Sequence, residues 1–165
     1  MSQSWEFIAH CLRMELADYG GLLHLFDAQQ RSLFERNSDA VLGFATEIEL
    51  QIRAVADSRA RREQAVSLFA EQNGRPSTSS LRAMLSLIES DARPLLEALI
   101  NEVNLLLHRV RRTSRHNHAL LSRAVEMHQE TLQELRPHAF TKTYSPAGRM
   151  AITASCPPSA LRAAG

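Results

Sequence analysis

Seven histidines and two cysteines are the side chains of this 165-residue sequence best suited to hold a metal or attack an electrophile, and their spacing supports neither role. His116 and His118 stand two residues apart, which on a helix turns them toward different faces. There is no His-Glu-x-x-His, and no Glu-x-x-His pair of the di-iron bundle type. Glu6 with His10 and Glu134 with His138 are separated by four, a spacing that suits a helix ion pair at least as well as ligation. No Gly-x-Ser-x-Gly occurs, and no glycine-rich loop follows a predicted strand to cradle a phosphate. Cys11 and Cys156 sit at opposite ends of the chain without a CxxC, as expected of a protein in a reducing compartment. The expectation is a non-enzyme with no cofactor and no metal.

The remaining polar chemistry is concentrated late in the chain. Between Val103 and Val125 lie Arg109, Arg111, Arg112, Arg115 and Arg123 with no acidic residue among them. This is the strongest nucleic-acid signal available, but the arginines distribute around a helix and no aromatic residue interleaves them for base stacking. With a formal charge of +1 overall, a solvated face or a docking face for an acidic protein is the better reading, and no nucleic-acid partner is expected. Ser114 and Asn117 fall on an otherwise apolar stripe. A polar side chain at a core-type position fixes register or partner at some loss of stability, so a cargo helix meeting Asn117 would be held in one alignment.

Long helices must carry these residues. Trp5, Ile8, Leu12, Leu16, Tyr19, Leu23, Phe26 and Leu33 recur at three- and four-residue spacing, predicting a helix over residues 4–36. Gly20-Gly21 interrupts it and marks a kink, a close helix crossing or a tolerated weak spot. Asn37-Ser38 supplies capping chemistry for a second helix over residues 39–73, with Val41, Ala45, Ile48, Ile52, Val55, Val66 and Phe69 on its stripe and Asn73-Gly74 at its end. Arg59 and Arg62 stand in that stripe and should open to solvent or meet glutamates, because burying them unpaired is expensive. A loop over residues 75–80 leads to a short amphipathic piece through Leu81, Met84, Leu85 and Ile88, and Pro94 marks a break, kink or new first turn. Downstream, Leu95, Leu99, Val103, Leu106 and Val110 form one stripe that continues in phase through Ser114, Asn117, Leu121, Val125, His128, Leu132 and Leu135.

The expected fold is all-α: an elongated antiparallel bundle of three long helices, the third broken or kinked near Pro94, over residues 1–138, followed by a flexible tail over residues 139–165. At about 1.5 Å per residue the first two helices reach roughly 50 Å and the third roughly 63 Å, so the third should overhang and leave apolar surface for a partner. Residues 1–6 lack a basic segment followed by an apolar one, and no window approaches the ~18 consecutive apolar residues of a membrane span. A soluble, cytoplasmic protein without direct membrane insertion is expected.

The succession of a helix with Asn117 on its inner face, the end Leu135-Arg136-Pro137-His138, and a tail reading Tyr144-Ser145-Pro146-Ala147-Gly148 resembles the FlgN-type flagellar export chaperones. That family's Asn-x-x-Asn followed by Leu-Leu is matched here by Ser114, Asn117 and Leu120-Leu121, so the first asparagine is replaced; its Tyr-Gly becomes Tyr144-Ser145, with a later glycine at Gly148. The resemblance implies a cytoplasmic chaperone of flagellar type III export that binds the C-terminal helices of the hook-filament junction proteins. Its cargo surface would comprise Asn117, Leu121, Val125, His128, Leu132 and Leu135, while Tyr144 and Gly148 would dock on the cytoplasmic domain of the export gate. A weak homodimer is compatible with that role, whereas a tight coiled-coil dimer without cargo is the competing reading.

Overall fold

The computed structural model describes residues 5–135, 140–144 and 150–154, with side chains placed for residues 5–135. Helices α1 (Trp5–Phe34) and α2 (Ser38–Gln72) are followed by the short α3 (Leu81–Met84), a 3-10 turn (Leu85–Leu87) and the long α4 (Arg93–Leu135). Strands β1 (Phe140–Tyr144) and β2 (Met150–Ala154) form an antiparallel pair in the register Phe140↔Ala154 to Tyr144↔Met150. The architecture is all-α apart from this hairpin, which lies in the segment expected to be a flexible tail. Two compact units divide at His118/Ala119, inside α4, whereas the sequence changes character at about residue 138.

Local chemistry sets the helix ends. Asn37 caps α2, its side-chain oxygen accepting from the Ala40 amide at 3.1 Å. The preceding helix closes with Arg36 in the left-handed region at φ 55, while the Asn37 amide reaches back to the Ser32 carbonyl and the Arg36 amide to Leu33. Gly74 repeats this ending for α2 at φ 67, with Arg75 bonded to Ala70 and Gly74 to Glu71. Glycine adopts this conformation freely, whereas Arg36 holds it against its Cβ. Ser80 caps α3 through the Ala83 amide. Pro94 falls in the first turn of α4, where its missing N–H leaves no helical bond unmade, so the helix starts there instead of kinking.

Within residues 1–118, α1 and α2 pair antiparallel: Glu15 meets Arg62, Asp18 meets Gln51 and Gln29 meets Val41, the α2 number falling as the α1 number rises. The core comprises Ile8, Leu12, Tyr19, Leu22 and Phe26 from α1, Ile48, Val66 and Phe69 from α2, and Leu96, Leu99, Val103 and Val110 from α4. Leu81, Met84, Leu85 and Ile88 are buried with them, as their spacing predicted. Two stripe assignments are corrected. Ile52 is about half exposed, and Leu95 is 38% exposed while the adjacent Leu96 is fully buried; one residue turns a helical side chain by about 100°, and a Leu-Leu pair does not say which is inward.

Gly20-Gly21 does not break α1. At Gly21 a Cβ would lie 3.1 Å from Gln51 Nε2, the atom that donates to the Asp18 carbonyl at 3.0 Å, so this glycine admits a close side-chain crossing from α2. Nothing approaches Gly20 within 4 Å.

Candidate functional site

The arginines of the α2 stripe find the glutamates that the sequence required. Arg59 bonds Glu63 at 2.8 Å on the surface, which holds the Glu63 carboxyl below and the Arg59 guanidinium above their ordinary values. Arg62 donates to Glu15 at 2.6 Å, and that glutamate is only 1% exposed. Burial pushes the neighbouring Tyr19 hydroxyl up from its usual value, and the Glu15 charge and hydrogen bond push it further. Glu15 was missed in the sequence. The available signal was a charge at a position continuing the inward series Leu12, Tyr19 and Leu22.

Asn117 is 2% exposed, and its Nδ2 donates to the Phe26 carbonyl at 2.8 Å and more weakly to Gln29 Oε1 at 3.4 Å. Gln29 Nε2 in turn points to the Val41 carbonyl at 3.4 Å. A polar layer thus crosses α1, α2 and α4. The amide orientation is fixed by chemistry, since a carbonyl oxygen can only accept and the flipped amide would oppose two oxygens. Among the described residues no donor reaches the buried Oδ1. Asn117 thereby sets the register of α4 against α1.

Beyond Asn117 the stripe continues without burial. Leu121 is half-buried, Val125 is 53% exposed, Leu132 49% and Leu135 73%, and His128 is exposed; no side chain from residue 118 to 135 is buried. One helical face thus carries exposed apolar residues over this stretch. Of the expected docking pair, the Tyr144 backbone lies at the end of β1, while its side chain and all of Gly148 lie outside the described residues.

Cys11 is a free, buried thiol, pushed up from its ordinary pKa by burial, with Arg61 and Arg62 partly opposing the shift. It lines a cleft of about 300 Å³ with Phe7, His10, Met14, Asp57 and Arg61. A thiol so shifted is a poor nucleophile. Among the described residues no group of three or more His, Cys, Asp or Glu could hold a metal, and no helix is long and apolar enough to cross a membrane.

Helices registered by buried polar groups, with the last one carrying an open apolar stripe, define a helical binding protein. The chain matches the FlgN protein family over residues 1–152 and belongs to it. It is accordingly a flagellum-associated export chaperone. No curated protein and no solved structure matches it.

Proposed function

We infer that this chaperone holds the C-terminal helices of hook-filament junction proteins in the cytoplasm and delivers them to the export gate. The observation that carries this reading is the exposed run Val125, Leu132 and Leu135, with Leu121 before it and His128 within it, on the phase that is buried earlier in α4. An amphipathic cargo helix laid on that stripe buries its own apolar face and cannot self-associate before export. Asn117 contributes by holding the root of α4 in register. Tyr144 and Gly148 are assigned to the cytoplasmic domain of the gate by their match to the family's tail, where a tyrosine supplies a large apolar face and one hydroxyl.

Calorimetry with a junction-protein C-terminal peptide and with the gate's cytoplasmic domain tests both halves. Val125→Glu would bury an unpaired charge in the complex, an effect of about 2 kcal/mol or more, and should lower cargo affinity at least tenfold while helicity is kept. Tyr144→Ala should weaken gate binding by more than about 1 kcal/mol and leave cargo affinity unchanged. Equal cargo binding by the Val125 variant removes the stripe from the reading. A tight homodimer that takes up no cargo peptide would replace it with coiled-coil dimerisation.

A further inference from the structure

On the outward side of α4, Leu105, His108, Arg109, Arg112, Arg115 and His116 are all exposed, and all belong to the first compact unit. At about 100° per residue they share an arc of roughly 120°, on the opposite side of the helix from the buried Val103, Val110 and Asn117. None of the three arginines is ion-paired among the described residues. No acidic residue occurs on α4 between Glu102 and Glu126, whereas the rest of the chain carries more acidic than basic groups.

The expected spread of arginines around the helix is thus corrected for three of them: Arg109, Arg112 and Arg115 put their charge on one face of a nearly neutral protein. The arrangement opposes helix stability, because Arg109/Arg112 and Arg112/Arg115 are like charges three residues apart, and the four-residue spacing of Arg111 and Arg115 adds a further like pair. Leu105 is 60% exposed beside these cations.

We propose that this face is a second docking surface, for an acidic polypeptide segment whose carboxylates meet Arg109, Arg112 and Arg115 and whose apolar residue covers Leu105. Charge complementarity selects an acidic partner. A polypeptide is favoured over a nucleic acid because no aromatic residue stands between Val103 and Val125 to stack a base, and the acidic remainder of the chain repels an extended phosphate polymer.

The probe is a labelled synthetic peptide with Glu and Leu at helical spacing, compared with its Glu→Gln counterpart, and binding to the full-length chain is read by fluorescence anisotropy at physiological salt. The Glu peptide should bind, the Gln peptide should not, and affinity should fall as salt rises. R109E/R112E/R115E should weaken binding at least tenfold, while the exposed controls Arg53→Glu and Arg75→Glu leave it unchanged. Should the triple variant lose helicity, Arg112→Gln and Leu105→Ser, each expected to weaken binding severalfold, carry the same test. Equal binding by the substituted protein, equal binding of the Gln peptide, or displacement of the Glu peptide by a single-stranded oligonucleotide at a lower concentration than by the unlabelled Glu peptide overturns the proposal.

Discussion

Replacing Asn117 by leucine should make this protein more stable and a poorer chaperone. The substitution removes the 2.8 Å bond to the Phe26 carbonyl, a loss of about 1 kcal/mol. Phe26 lies inside α1, so its carbonyl keeps its helical donor and is not orphaned. Oδ1 disappears with the amide; a buried acceptor without a donor destabilises by about 1–3 kcal/mol. Leucine has the same branched shape but is larger, and it adds apolar burial of up to about 1.5–3 kcal/mol, part of which is lost to overpacking at this closed site. The net expectation is a gain of about 1–3 kcal/mol in urea unfolding followed by circular dichroism. Cargo affinity should nevertheless fall, because α4 loses the polar contact that selects one alignment against α1. Asn117→Asp provides the opposite control, burying a carboxylate against the Phe26 carbonyl, and should destabilise by roughly 3 kcal/mol or more. If Asn117→Leu proves less stable than the parent by more than about 1 kcal/mol, the amide is a fully satisfied structural element and the reasoning fails.

Arg62→Ala leaves Glu15 buried and unpaired and should destabilise by about 2–4 kcal/mol, the partial exposure of Arg62 keeping the value below that of a fully buried pair, whereas Glu15→Leu with Arg62→Leu should return to within about 1 kcal/mol of the parent; equal losses in the single and double variants would contradict this. Gly20→Ala, with open space around its Cβ, should stabilise by about 1 kcal/mol in thermal melts. Gly21→Ala should gain nothing, since it displaces Gln51 from the Asp18 carbonyl. Tyr19 titrates later in the folded protein than in the unfolded chain, so its contribution is complete below the unfolded tyrosine pKa of about 10 and is lost as pH rises through the higher folded value. Unfolding free energy measured across that alkaline window should decline in the parent and decline less in Tyr19→Phe.

Helix punctuation was legible because it depends on neighbours in sequence: Asn37, Asn73-Gly74 and Pro94 each act through backbone groups a few residues away. The inward stripe of α1 was equally legible, since a long amphipathic pattern averages over single exceptions. What required the folded chain were the pairings between helices. Nothing local says that Arg62 meets Glu15, or that the Asn117 amide bonds to α1. The strand pair 140–144 and 150–154 also escaped: Phe140, Tyr144, Met150 and Ile152 do alternate with smaller residues, but two five-residue runs in an Ala-, Ser- and Thr-rich segment are too short to outweigh its composition.

α4 is buried over its first half and bare over its second, with Arg93 in its first turn and Glu134 in its last, charges that work against the helix dipole at both ends. Backbone amide exchange should therefore be slow from Leu96 to Asn117 and progressively faster toward Leu135, a slope of local opening energies along one continuous helix. On the proposed function, cargo covering the bare half would flatten that slope, and part of its binding free energy would be converted into helix order. The complex should then show a heat-capacity decrease larger than the contact area alone accounts for.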